Sequence, residues 1–251
     1  MSRGRLFDSV AGDYDDVRPT YPDEVYDAIE RLMPLPGAHV MELAAGTGVA
    51  TRQLLARGAE VVAVEPGIAM IRRLRDRSPS AVAVAARAEQ LPFRRATFDL
   101  ACCATAWHWL DAGDVVTELR HVVRGGGYVA LWWANHRHDE AIDWEAAQDA
   151  VYARWQLNPG SRPPTDAGVS PRDASADLRR RGLDVVVDTE LTWSRTVSRA
   201  QHLRVLGTHS VVLDLGERRQ QLLAEVERAL TPWDTVEERL WGPLVIARFP
   251  S

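Results

Sequence analysis

The chain has 251 residues, 46% hydrophobic and 26% charged, with 30 basic side chains against 35 acidic ones and a net charge of −5. That length and balance support a large buried core and exclude a disordered or fibrous protein. No stretch gathers the dense positive charge that a phosphate backbone demands, so a nucleic-acid binder is not expected. All 30 basic residues are arginine, which removes Schiff-base chemistry, any catalytic lysine and the P-loop lysine. Cys102 and Cys103 are adjacent in an apolar run and suggest neither a disulfide framework nor a metal knuckle. The charged stretch from Met1 to Asp16 lacks a signal-peptide core, and no later run approaches about 18 apolar residues. A cytoplasmic protein without membrane contact is expected.

A polar, aromatic stretch opens the chain, and one helix follows Pro22. From Pro36 onward, β-branched runs alternate with helical stretches. His39 to Leu43 reads as a strand, and Val49 to Arg57 as a helix ending at Gly58. Glu60 to Val64 is a strand of buried type, followed by a helix from Ile68 to Asp76 that stops near Pro79. Strands at Ala81 to Ala86 and Phe98 to Ala104 come next. A helix from Val115 to Val123 then ends in Gly125, Gly126 and Gly127, and Tyr128 to Trp133 forms a fifth strand. The alternation predicts an α/β protein with a doubly wound parallel sheet.

Asn135 to Val169 breaks the pattern, with a polar opening, Trp144 and Trp155 on a helix, and a Pro/Gly/Ser-rich stretch from Asn158 to Pro171. It reads as an insertion over the site. A helix from Pro171 to Arg181, a strand from Asp184 to Trp193, helices at Arg199 to Leu206 and Glu217 to Leu230, and a strand from Leu240 to Phe249 complete the chain. Residues 1–251 are expected to form one domain: 1–35 an amino-terminal lid, 36–134 the core, 135–169 the cap, and 170–251 the remaining sheet and helices.

The strongest local signal is Glu42-Leu43-Ala44-Ala45-Gly46-Thr47-Gly48 between a strand and a helix. Small residues there admit a ligand close to the backbone, and the helix that follows offers unpaired N–H groups. A dinucleotide fingerprint would need glycine where Thr51 stands, and Glu42 is foreign to it. Glu65 closes the second strand seventeen residues after Gly48, where a ribose-binding carboxylate belongs. His108 lies past the fourth strand and is the candidate base, since a neutral imidazole can take a proton near neutral pH. Trp109 and Trp133 are candidates for an apolar or aromatic acceptor pocket. His136-Arg137-His138-Asp139 reads as a polar loop, and no metal site is expected.

The chain resembles the class I S-adenosylmethionine-dependent methyltransferases, in the small-molecule group of ubiquinone/menaquinone and trans-aconitate methyltransferase-like proteins. The resemblance runs from Phe7 to about Trp133. It is carried by Phe7-Asp8, Tyr14, Arg18-Pro19-Thr20-Tyr21-Pro22, the loop from Glu42 to Gly48, Glu65-Pro66 with Met70, Ala88-Glu89-Gln90-Leu91-Pro92-Phe93, Phe98-Asp99, His108-Trp109 and the triple glycine. It implies a Rossmann-like seven-stranded sheet whose last strand is antiparallel. It also implies S-adenosyl-L-methionine as cofactor, S-adenosyl-L-homocysteine as product, a small-molecule acceptor, and a monomer or homodimer.

By that resemblance Glu42, Ala44, Gly46 and Gly48 surround the methionine part of the cofactor. Glu65, with Pro66 beside it, holds the ribose, and Met70 packs on the adenine. Ala88 and Glu89 lie at the adenine edge, and Ala104 and Thr105 face the methionine moiety. Tyr14, Arg18 and Tyr21 form the lid, with Tyr21 also reaching the acceptor. Arg87 departs from the pattern, because relatives commonly carry an aspartate there and arginine has no acceptor. That departure leaves open a non-catalytic protein of the same fold. A nicotinamide-dependent oxidoreductase is disfavoured by Thr51 and the missing lysine.

Overall fold

The computed structural model describes residues 11–157 and 169–251. Phe7, Asp8 and most of the Pro/Gly/Ser-rich stretch lie outside the described residues, as does the side chain of Tyr14. Helices α1 (Ala11–Val17) and α2 (Asp23–Glu30) come first, followed by β1 (His39–Leu43), α3 (Val49–Ala56), β2 (Glu60–Val64), α4 (Ile68–Arg77) and β3 (Val82–Val84). Next are β4 (Phe98–Ala104), α5 (Ala112–Val122), β5 (Val123–Trp132), β6 (Asn135–His136) and α6 (Asp143–Arg154). The chain ends with α7 (Ala174–Arg180), β7 (Asp184–Ser198), α8 (Arg199–Leu206), α9 (Ser210–Leu213), α10 (Arg219–Ala229) and β8 (Thr235–Arg248).

Eight strands are hydrogen-bonded in the order β3-β2-β1-β4-β5-β8-β6, with β7 also on β8. The first five are parallel, and β8 runs antiparallel to β5 from Tyr128 opposite Arg248 to Trp132 opposite Leu244. The expected doubly wound sheet with an antiparallel last strand is therefore present. Its strand count is eight where seven were expected, because Asn135–His136 pairs with β8. A two-residue strand has no period to read. The triple glycine does not stop a helix but runs within β5. An added Cβ at Gly127 would lie 2.7 Å from the Asp99 carbonyl oxygen, so the close approach of β4 excludes any side chain there.

The described chain divides into two compact units, the larger holding 19–134, 169–191 and 242–251, and the smaller 11–18, 135–157 and 192–241. In the larger unit β1 is buried at every residue after His39, as expected for a parallel strand covered on both faces. Period-two alternation sends Met41, Leu43, Ala101, Cys103 and Leu131 to one face, where Val115, Leu119 and Leu178 cover them. Val40, Leu100, Cys102, Ala130 and Trp132 face the other way, against Tyr26, Ile29 and Leu54. The two cysteines thus point to opposite sides of the sheet. Asp111 caps α5 by accepting from the Gly113 and Asp114 amides, which fixes the start of that helix.

The smaller unit has its own core, built from Trp144, Val151 and Tyr152 of α6, Leu206 of α8, Leu222 and Val226 of α10, and Val197 and Val236 of the strands. A polar network is buried beside it. Glu238 Oε1 lies 2.7 Å from His202 Nδ1, Arg195 Nε donates to Glu238 Oε2 at 2.7 Å, and His202 Nε2 lies 2.7 Å from Gln148 Oε1.

Candidate functional site

The sheet order reverses between β1 and β4. In open α/β sheets such a switch point leaves a crevice at the carboxyl ends of the strands. There β1 gives way to a loop in which Ala44, Gly46 and Gly48 have φ of 50°, 57° and 84°. A Cβ on Gly46 would meet nothing within 4 Å, whereas one on Gly48 would lie 2.9 Å from Leu74 Cγ. Gly46 therefore leaves open space, and Gly48 lets α4 pack against the loop. Ala44 is left-handed with a Cβ, which costs about 1–2 kcal/mol. Ala44→Gly is expected to gain about 0.5–1 kcal/mol net of the greater freedom of the unfolded chain, read from urea unfolding; a loss of stability would contradict the strain.

Two buried carboxylates flank this loop. Glu65 Oε2 accepts from the Gly46 amide at 3.0 Å and Oε1 from the Gly67 amide at 2.8 Å, so Glu65 binds the glycine loop to the end of β2. The Thr51 hydroxyl donates to Glu42, which puts Thr51, the residue standing in place of a third glycine, to use. Burial pushes the Glu42 carboxyl up to about 8, with Glu65 adding to the rise and Thr51 and Arg52 opposing it.

Beyond Glu65, Pro66 is exposed. Met70 is turned inward at 3% exposure, while Ile68 stands 51% exposed at the start of α4. The helix period explains this correction: residues 70, 71 and 74 form its buried face, which leaves Ile68 and Pro66 as the apolar surface next to Glu65. Ile68 was legible only as an apolar residue off the helix's buried stripe. Ala88 is buried. Glu89 Oε1 accepts from the Asp111 amide at 3.3 Å, and its Oε2 lies 3.4 Å from Arg87 Nε. Arg87 is thus the ion-pair partner of Glu89.

Ala104 ends β4, and Thr105 follows in the left-handed region at φ 54°. Such strain in a non-glycine residue marks candidate functional positions. The Thr105 hydroxyl accepts from the Ala134 amide at 3.1 Å and lies 3.1 Å from the Tyr21 hydroxyl. Tyr21 is held in turn by two hydrogen bonds between its backbone and the Gln53 side chain. Trp133 is 1% exposed and so lines no open pocket, in contrast to the expectation; Trp109 is half-buried. The Trp133 indole donates to His108 Nδ1 at 3.1 Å, a pairing that sequence spacing could not show. Burial lowers the His108 pKa to about 4.

The larger unit therefore brings together Glu42, Ala44, Gly46, Gly48, Glu65, Pro66, Thr105 and Tyr21. Arg18 belongs to the smaller unit, where it donates to the Thr208 carbonyl at 3.0 Å. A separate cleft of about 430 Å³, lined by Met33, Pro36, Asp99, Arg124, Gly126 and Tyr128, lies at the opposite strand ends. Among the described residues no three His, Cys, Asp or Glu side chains are placed to hold a metal ion. No described helix is long and apolar enough to cross a membrane.

Residues 41–131 match the family model described as a methyltransferase domain. An uncharacterized methyltransferase of Mycobacterium tuberculosis is 39% identical over 138 residues, covering 55% of each chain. The chain thus spans about half the length of the curated relatives it matches. A putative type II methyltransferase from Anaeromyxobacter dehalogenans superposes with a TM-score of 0.67 at 27% identity, over 93% of this chain and 99% of that one. A geranyl diphosphate methyltransferase in complex with S-adenosylmethionine shares the fold, with a TM-score of 0.51 at 15% identity over 90% of this chain and 84% of that one. Residues 41–131 thus match a methyltransferase domain, set in a Rossmann-like fold similar to that of solved methyltransferase structures.

Proposed function

We propose that this chain transfers a methyl group from S-adenosyl-L-methionine to a small, apolar or aromatic acceptor, as a cytoplasmic monomer or homodimer. The observation that carries the reading is the pairing of two buried carboxylates, Glu42 and Glu65, with an open glycine loop at the switch point of the sheet. The residues fit that cofactor. Glu65, at the end of β2, would accept from the ribose hydroxyls, and Pro66 and Ile68 would offer apolar surface to the adenine. Glu42, held up to about 8 by burial, would regain its negative charge beside a cationic ligand group, as opposite charges favour each other's ionised forms. When bound, the cofactor supplies a methyl group already activated on a sulfonium.

The protein's part is chiefly alignment. Tyr21 and Thr105 hold each other at the end of β4, and Trp109 offers an aromatic wall for the acceptor. The net charge of −5 supports a small acceptor over nucleic acid. The pairing of Arg87 with Glu89 gives the arginine a structural role and weakens the non-catalytic alternative. Isothermal titration tests the reading: S-adenosylhomocysteine is expected to bind at micromolar concentration and NADH not at all. Heat from NADH alone, or from neither ligand, overturns it.

A further inference from the structure

The hydrogen bond between Trp133 and His108 decides which ring nitrogen carries the proton. An indole nitrogen can only donate, so His108 Nδ1, 3.1 Å from Trp133 Nε1, holds a lone pair. A reversed ring would present a carbon to the indole and leave a buried N–H without an acceptor, at a cost of about 1–3 kcal/mol. The neutral imidazole has one N–H, which therefore sits on Nε2. No hydrogen bond engages Nε2 among the described residues. Burial alone lowers the His108 pKa, to about 4, and no charged group counters it. Trp133 is neutral, so unlike a carboxylate partner it does nothing to stabilise an imidazolium. At neutral pH the ring thus has no lone pair to offer through Nε2.

His108 lies in the single turn Trp107–Trp109, just past Thr105 at the carboxyl end of β4. The half-buried Trp109 ring is 5.4 Å from it. The other histidines of the larger unit stand at the far ends of their elements: His39 begins β1 and His121 lies in the last turn of α5. Resting on the methyltransferase reading, we propose that the Nε2–H of His108 donates a hydrogen bond to the acceptor, and that this acceptor is a carboxylic acid bound as its carboxylate. One carboxylate oxygen accepts from Nε2, and the other directs a lone pair at the methyl carbon. The O–C bond forms as the C–S bond breaks, and its electron pair goes to sulfur. A methyl ester and a neutral thioether result, and no proton leaves the acceptor. An alcohol or an amine would need a base, a task for which this tautomer is unsuited. Trp133 is then a positioning residue that acts through His108.

The test uses the full chain with 15N-labelled histidine, with His108 assigned by the signal that vanishes in His108→Asn. Long-range proton–nitrogen correlation from about pH 5.5 to 8.5 is expected to show one neutral tautomer, protonated at Nε2 throughout. Trp133→Phe removes the indole N–H and is expected to yield a mixture of both tautomers. A proton on Nδ1 in the wild type, or a titration step near neutrality, overturns the donor role. With S-adenosylhomocysteine present, benzoate is expected to shift the His108 Nε2–H signal and benzyl alcohol to leave it in place. A signal unmoved by benzoate, or moved equally by both, overturns the carboxylate assignment. The tautomer is read without cofactor, so failure of the donor role is distinguishable from failure of the methyltransferase reading, which the titration above decides.

Discussion

Replacing Glu238 by glutamine is expected to lower stability by about 3 kcal/mol, because removing one member of a buried ion pair strands the other. Glu238 is 0% exposed, and both its oxygens are engaged, one by His202 and the other by Arg195. Burial pushes its carboxyl upward, but the His202 hydrogen bond, together with His136 and Arg195, outweighs burial and holds it down at about 2. A carboxyl that titrates near 4.5 when unfolded and about 2 when folded contributes about 3 kcal/mol of stability. Because the folded value is the lower one, that contribution is present above about pH 4.5 and is lost as the pH falls toward 2. His136 and His108 act over an earlier window. Burial holds their folded values at about 3 and 4, so stability present above the ordinary histidine value of 6.5 is lost as acid protonates the unfolded chain. The wild type is therefore expected to weaken below about pH 6.5 and steeply below 4.5. In urea unfolding followed from pH 7 to pH 3, the gap between wild type and Glu238→Gln is expected to close below 4.5. A gap that persists at acid pH, or one below about 1 kcal/mol at neutral pH, would sink this account.

The parts of this fold that read from the sequence are those with a period. β1, β2 and β4 lie where apolar runs of parallel-strand type predicted them, and α8 occupies the expected residues Arg199–Leu206. Elements too short to show a period were missed: β6 has two residues and α9 four. Gly125–Gly127 misled, since glycine is ordinarily a helix terminator, whereas here all three lie within β5 and, at Gly127, the neighbouring β4 backbone leaves no room for a Cβ. In the candidate site, the juxtaposition of Glu65 with the glycine loop was legible because it follows from the order of strands and loops along the chain. The bond from Trp133 to His108 joins residues twenty-five positions apart on different elements, and nothing local signals it. Met70 and Ile68 show the same limit on a smaller scale: both are apolar, and only the rotation of α4 decides which one faces outward.

Glu65→Ala is expected to weaken S-adenosylhomocysteine binding by about 10- to 100-fold, since hydrogen bonds to a charged group are worth about 1.5–3 kcal/mol. The same carboxylate also accepts from the Gly46 and Gly67 amides. A loss of affinity could therefore arise from a loosened loop as well as from a lost ribose contact. The two causes separate when the ligand is altered as well as the protein, because a direct contact shows coupling in a double-mutant cycle and an indirect one does not. Wild-type protein is expected to bind the 2′-deoxy analogue of S-adenosylhomocysteine about tenfold less tightly than the parent compound. Glu65→Ala is expected to bind the two alike, having no carboxylate left to sense the hydroxyl. Glu65→Gln keeps one acceptor oxygen for a loop amide and is expected to fall between wild type and alanine in affinity. If removing the hydroxyl costs the same in wild type and Glu65→Ala, the carboxylate serves the loop alone. The ribose would then have to be held elsewhere, and the pairing of Glu65 with the glycine loop would lose its weight as the mark of the cofactor site.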